Sequence, residues 1–230
     1  MFPVVAALLV VACGEDPTTR REHIYDLKRK PTEENVARIR TLLLDEDRDV
    51  RATALNALVG LEVVDARDLV RAGLRDTDVF VRATAAKLAG DVQDPAVAPD
   101  LARVLSEDTD PAPRQRAAES LARLGGETAI EALAGALDDP VETVRMAAID
   151  GVRTLDPDRS REELIGLLLG DPSWEVRALA ARALGSATDA SAVVAHLERA
   201  LTDANEFVRA AAANALRAHG HEVKDAREIP

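Results

Sequence analysis

The residues of this chain whose types and spacing could do chemistry are an aspartate and an arginine that recur together. Arginines stand 31 or 32 residues apart, and an aspartate stands six residues before each one. A column of arginines could bind anions, or each guanidinium could pair with a carboxylate that also accepts hydrogen bonds from turn N–H groups. We favour the structural interpretation, because an aspartate accompanies every arginine. The predicted structural ladder comprises Asp45/Arg51, Asp76/Arg82, Asp108/Arg114, Asp139/Arg145, Asp171/Arg177 and Asp203/Arg209.

Other groups that could be catalytic are few. The chain has four histidines, and His221–Glu222 in the C-terminal tail is the only His-Glu pair. His219 and His221 could contact a metal, but a solvated tail is the simpler interpretation. No glycine-rich phosphate loop and no G-x-S-x-G motif occurs. We therefore expect no catalytic residues, no metal and no cofactor.

The elements that must position the ladder are helices. An alanine follows each ladder arginine by three residues, and Val, or Pro113 in the third unit, precedes it. Apolar residues before each aspartate recur at helical spacing, as Val36, Ile39 and Leu43 do in the first unit. A fixed period of this length is the signature of a stacked repeat array. The sequence thus predicts an all-α solenoid of about six antiparallel helix pairs, and we expect the second helix of unit three to begin late at its prolines.

The predicted organisation along the chain has five parts. They are a signal peptide (1–12), a short tether (13–19), an N-terminal capping helix (20–30), the repeat domain (31–220) and a C-terminal tail (221–230). Terminal units of a repeat array need such a cap to cover their apolar surface.

The beginning of the chain is apolar and ends at the single cysteine. Residues 1–12 are too few to span a bilayer as a helix but have the length of a signal-peptide core. The run Val10-Val11-Ala12-Cys13 resembles the lipobox of bacterial lipoproteins, although no Lys or Arg precedes it. That resemblance implies cleavage before Cys13, its lipidation, and attachment at the bacterial envelope, on the outer membrane or the periplasmic face of the inner membrane. The alternative is a cytoplasmic protein.

The repeat unit resembles a known family. Asp-x(5)-Arg-x(2)-Ala with Val before the arginine, often closing in Leu-Gly as at Leu184-Gly185, resembles HEAT repeats of the phycobilisome lyase type. The resemblance covers about residues 32–220. It implies a right-handed superhelix whose second helices line the concave side. A bilin-lyase-like enzyme or chaperone accessory follows from the family name alone, and fold does not dictate activity.

One stretch of the second helices is unusually apolar where solvent is expected. In units four to six the positions just after the ladder arginine include Met146 and Leu179, with Trp174 and Phe207 at nearby first turns and Arg182 beyond. Aromatic residues of this kind are good interface anchors. These five residues are candidates for protein binding, although packing between units would explain them equally well.

Charge narrows the class of partner. The formal net charge of −12 argues against general nucleic-acid binding, which needs basic surface. We expect a monomeric, non-catalytic scaffold or adaptor that binds other proteins and reaches the membrane through lipid on Cys13. A cytoplasmic regulatory protein of the same fold is the alternative.

Overall fold

The structure, a computed structural model, describes residues 16–223 and shows an array of helices joined by short turns. Six pairs succeed one another along the chain, and a further helix, α1 (Pro17–Lys28), precedes them. The first helices of the pairs are α2 (Glu33–Thr41), α4 (Ala66–Gly73), α6 (Ala98–Glu107), α8 (Glu127–Gly135), α10 (Arg161–Gly170) and α12 (Ala190–Ala200). The second helices are α3 (Arg48–Val59), α5 (Val79–Val92), α7 (Pro111–Leu124), α9 (Glu142–Leu155), α11 (Trp174–Leu184) and α13 (Glu206–Ala218). The predicted all-α solenoid is confirmed.

The second helices pack against one another along the array. Each packs against the second helix of the next unit, from α1 and α3 through to α11 and α13. The alanine three residues after each ladder arginine is fully buried in every unit. Because alanine adds only a methyl group, neighbouring helices approach closely at that position. These alanines are Ala54, Ala85, Ala117, Ala148, Ala180 and Ala212.

The core extends along the array with no single centre. One cluster of buried residues runs from Leu55 in α3 to Leu216 in α13. A second cluster joins Ile24 and Leu27 of α1 to Ile39 of α2 and Val50 of α3. Each unit therefore depends on its neighbours for burial, as a solenoid requires.

Most second helices begin with a side chain that caps the helix. Asp47, Asp78, Ser173 and Asn205 each accept a hydrogen bond from a first-turn N–H group. Such caps satisfy N–H groups that have no partner within the helix.

The second helix of unit three begins in the same register as the others, so the expected late start is wrong. Pro111 and Pro113 both lie in the first turn of α7, where a missing N–H costs nothing. The same prolines remove a donor from the cap, and Asp110 makes no capping hydrogen bond. Its carboxylate instead accepts a hydrogen bond from Arg82 at 3.1 Å.

The N-terminal helix begins before the predicted boundary at residue 20. Asp16 caps α1 by accepting hydrogen bonds from the amides of Thr18 and Thr19, so residues 17–19 of the predicted tether are helical. The predicted signal peptide, Cys13 and the tail from residue 224 lie outside the described residues.

Candidate functional site

The ladder joins each unit to the next one. Arg51 donates from Nε and Nη2 to the two carboxylate oxygens of Asp76, at 2.9 and 2.8 Å. Arg145 makes the same two bonds to Asp171, at 2.8 and 3.0 Å. Two parallel bonds of this kind fix the relative orientation of both groups. The other pairs with this geometry are Arg82–Asp108, Arg114–Asp139 and Arg177–Asp203.

The third guanidinium nitrogen holds the turn of the arginine's own unit. Nη1 of Arg145 donates to the carbonyl oxygen of Asp139 at 2.8 Å. The carboxylate of Asp139 accepts in turn from the amide of Val141 at 2.8 Å. One arginine thus forms hydrogen bonds with the turn of its own unit and with the turn of the following unit. Because these donors are occupied, the internal ladder arginines are not a free anion-binding column.

Burial and hydrogen bonding have opposite effects on the pKa values of the ladder carboxylates. Burial raises the pKa of Asp76, but hydrogen bonds from Arg51 and the amide of Asp78 outweigh it and hold that pKa below its usual value. At Asp203 the hydrogen bond from Arg177 is the largest influence, and it lowers the pKa. The pair with Asp76 also raises the pKa of Arg51. These pairs are therefore fully charged at neutral pH.

The ladder has one more rung at its beginning than the sequence analysis found. Arg20 of α1 donates from Nη2 to Asp45 at 3.0 Å, and both side chains are buried. Arg20 stands 31 residues before Arg51, and Asp16 occupies the capping position four residues before it. The helix α1 therefore occupies the place of a second helix in the ladder. That spacing was visible in the sequence, but Gly14 replaces the column aspartate.

Arg209 is the last ladder arginine among residues 16–223. Its Nη1 donates to the carbonyl oxygens of Asp203 and Ala204 at 2.8 and 3.1 Å, as in the other units. Its Nε is buried, and within residues 16–223 it has no hydrogen-bond partner. Within the described part of the chain, Arg209 thus makes the contacts of its own unit and has no contact to a following one.

The candidate binding residues fall into two groups in the structure. The rings of Trp174 and Phe207 stack with centroids 5.1 Å apart, and these side chains are 37% and 53% exposed. Met146 and Leu179 are partly buried and pack against the core, while Arg182 is exposed. The aromatic pair therefore lies in solvent, and the aliphatic side chains also serve the packing between units.

The positions one and two residues after a ladder arginine, where solvent is expected, are not all at the surface. Ala178 and Ala211 are only 3% and 4% exposed. The periodicity could not separate them from exposed positions, since the close approach of the second helices covers small side chains.

A groove at the opposite end of the array was not foreseen. It crosses α1, α3 and α5 and has a volume of about 260 Å³. Its lining includes Arg21, Tyr25, Asn56 and Lys87, which stand one or five residues after a ladder arginine, and Phe80, which stands two residues before one. On α1 and the second helices, we call the surface carrying the positions one, two and five residues after the ladder arginines the second-helix face. The sequence columns do not reveal the groove, because Gly14 stands where a column aspartate would relate α1 to the repeats.

The histidines serve local contacts. Nε2 of His23 lies 2.8 Å from Nη2 of Arg38, and Nε2 of His219 lies 2.9 Å from the carbonyl oxygen of Leu184. Residues 16–223 contain no group of three or more His, Cys, Asp or Glu side chains that could hold a metal ion. In the same part of the chain, no helix has both the length and the apolar character to span a membrane.

The family follows from the repeated unit. A family model of HEAT repeats matches residues 68–153 and 154–229, more than half of the chain. The chain is a HEAT-repeat protein. Unit one precedes the matched range but contributes Asp45 and Arg51 to the same ladder. No curated protein matches this HEAT-repeat chain.

Several solved structures share its fold. YibA of Escherichia coli superposes with a TM-score of 0.62 at 23% identity, over 84% of this chain and 72% of that one. The complex of CpcE and CpcF of phycocyanin lyase from Nostoc sp. PCC7120 gives 0.54 at 27% identity, over 64% and 98%. A designed armadillo repeat protein gives 0.54 at 18% identity, over 78% and 98%. The HEAT-repeat protein is therefore similar to other helical solenoids along most of its length.

Proposed function

We propose that this HEAT-repeat protein is a non-catalytic scaffold whose second-helix face binds a segment of another protein. The stacked pair of Trp174 and Phe207 carries the proposal, because these two large aromatic side chains are 37% and 53% exposed on α11 and α13. The partly buried Leu179 and Met146 lie on α11 and on the neighbouring α9. Aromatic side chains that become buried on binding commonly dominate interface energetics. Arg182 extends the surface with an exposed charge at its rim.

Affinity capture tests this proposal. The double variant Met146→Glu/Leu179→Glu should lose the partner that the parent chain captures, because two carboxylates would be desolvated in the interface. The matched control is Leu44→Glu/Val64→Glu, which places the same charges at fully or almost fully exposed apolar residues in turns outside the second-helix face. Equal capture by parent and Met146→Glu/Leu179→Glu, with circular dichroism unchanged, would remove the proposal.

We further propose that lipid on Cys13 anchors the protein at a bacterial envelope. The support is the apolar run before Cys13 and its likeness to a lipobox. Two or more acyl chains would give stable attachment, at about 0.8 kcal/mol per buried methylene. Labelling with a palmitate analogue should mark the parent and not Cys13→Ser. Labelling of neither would favour the alternative, a cytoplasmic regulatory protein.

A second candidate is a role beside bilin attachment, as an enzyme or chaperone accessory. The observation that favours it is the 27% identity to the CpcE–CpcF complex of phycocyanin lyase. A change in bilin absorbance on addition of the purified chain would support this candidate, and an unchanged spectrum would oppose it.

We expect the chain to be a monomer, and analytical ultracentrifugation would measure its oligomeric state.

A further inference from the structure

The groove across α1, α3 and α5 collects positive charge in an acidic protein. Arg21 and Lys28 reach it from α1, and Lys87 from α5, whereas Asp49 is its one acidic residue. Within residues 16–223 none of the three cations forms an ion pair, whereas the internal ladder arginines all do. The whole chain nevertheless carries a formal net charge of −12. The groove is therefore a local site of unneutralised positive charge.

Two of its polar groups also have no partner in the described chain. The Nε of Arg21 is buried, and no hydrogen-bond acceptor within residues 16–223 reaches it. Because solvent does not reach this atom, an acceptor on a ligand in the groove does not reach it either. Asn56 is exposed in the middle of the groove, and its side-chain amide makes no hydrogen bond in the same residues. An amide group there can both donate to and accept from the backbone of an extended peptide.

Apolar surface for side chains flanks these groups. Tyr25 and Phe80 are both about half exposed in the groove, and the guanidinium of Arg48 lies 5.8 Å from the ring centroid of Phe80. The hydroxyls of Thr53 and Thr84 donate to carbonyl oxygens of their own helices, which leaves them as acceptors. The lining therefore suits an extended peptide backbone with acidic side chains.

Beyond the groove the second-helix face carries paired charges and then apolar residues. Five residues after the ladder arginine, Lys87 of α5 is followed by Glu119 of α7 and Asp150 of α9. Each of these carboxylates forms an ion pair with an arginine of its own helix. The unpaired positive charge of the groove therefore does not continue into the basic track that a long polyanion such as a nucleic acid needs. The apolar residues Met146 and Leu179 lie farther along the same face.

We propose that the groove binds an acidic stretch at one end of the partner segment, whose apolar part then reaches α9 to α13. This inference rests on the proposed function and names the chemistry of the partner. Neighbouring helix axes lie about 8–10 Å apart, so three helices span about 20 Å. An extended peptide covers that distance with about six residues at about 3.3–3.6 Å each.

Fluorescence anisotropy tests the inference with the full chain. The probe is a fluorescein-labelled peptide of alternating glutamate and serine, about ten residues long so that it exceeds the calculated span. We expect saturable binding that weakens at least tenfold in Lys28→Glu/Lys87→Glu and that falls between about 0.1 and 1 M salt, as the Debye length shortens from about 10 to 3 Å. The matched control, Arg103→Glu/Arg199→Glu, makes the same charge change at exposed arginines of α6 and α12 and should bind like the parent.

Three results would overturn the inference. They are no saturable binding, an equal loss in the groove variant and its control, and equal binding of a lysine–serine peptide. Because Lys28 ends α1, circular dichroism must show that the groove variant stays folded, and Asn56→Ala provides a second, uncharged variant that should also weaken binding.

The inference and the proposed function fail separately. If Lys28→Glu/Lys87→Glu still captures the partner and Met146→Glu/Leu179→Glu does not, the scaffold function stands and the acidic stretch is wrong. If the acidic peptide binds in the groove but Met146→Glu/Leu179→Glu captures every partner of the parent, the groove site stands and the proposed face for the apolar part is wrong.

Discussion

Replacing Arg145 with alanine should weaken the junction between units four and five. The substitution removes both bonds to Asp171 and the bond to the carbonyl oxygen of Asp139. It leaves the carboxylate of Asp171, whose side chain is 3% exposed, with the amide of Ser173 as its hydrogen-bond donor. A buried charge that loses its partner costs about 3–5 kcal/mol. At about 2–4 °C per kcal/mol for a chain of this size, the melting temperature should fall by roughly 10 °C.

Arg209 supplies the matched control. It makes the same carbonyl contacts but pairs with no carboxylate in residues 16–223. Arg209→Ala should therefore cost about 1.5–3 kcal/mol, the contribution of hydrogen bonds from a charged group, which is less than the cost of leaving a buried carboxylate unpaired. The difference between the two variants isolates the contact that crosses from one unit to the next.

Urea unfolding followed by circular dichroism and by Trp174 fluorescence gives the free energies of unfolding. Two probes are needed, because repeat arrays do not always unfold in one cooperative transition. Adding Asp171→Asn to Arg145→Ala should recover at least about 1 kcal/mol, since it removes the unpaired charge while the amide oxygen still accepts from Ser173. Equal losses in Arg145→Ala and Arg209→Ala, together with no recovery in the double variant, would refute the structural interpretation of the ladder.

Two further predictions concern stability. Ile24→Ala should lower the free energy of unfolding by about 2–5 kcal/mol, because Ile24 is fully buried where α1 covers unit one. Tyr25 is exposed, so Tyr25→Ala should change it by less than about 0.5 kcal/mol. Equal urea midpoints for the two variants would contradict this prediction. The pKa values of Asp76, Asp108 and Asp203 lie below the ordinary value of 3.8. The ion pairs of these aspartates with their arginines therefore stabilise the fold above that pH. This contribution is lost as the pH falls through the lowered pKa values. Urea midpoints measured from about pH 6 to 3 should drop only near the acid end, and a midpoint that rises there would contradict the assignment.

Most of the fold could be predicted from the residues that recur at the repeat period. Equivalent residues in successive units must occupy equivalent places, so the buried alanines and the helix pairs followed from the period alone. The direction of the ladder did not follow, because spacing along the chain cannot show whether Arg51 pairs with Asp45 or with Asp76. The structure uses both residues, taking the carbonyl oxygen of the first and the carboxylate of the second.

The candidate site was less accessible to sequence reasoning. Exposure of the apolar positions depends on how closely the second helices approach, which explains why Ala178 is buried and Trp174 is not. Arg21, Lys28 and Lys87 line the groove from α1 and α5. The repeat period aligns α1 with α5 only once Arg20 is recognised as a ladder residue. Its depth depends on packing between helices, which no local pattern encodes.

Site-specific photo-crosslinking tests the central claim most directly. A benzophenone amino acid would replace exposed Arg182 on the second-helix face in one chain and exposed Arg199 of the first helix α12 in another. We expect a covalent adduct with the partner protein from position 182 and none from position 199. An adduct from position 199 alone, or equal adducts from both, would contradict a binding site on the second-helix face.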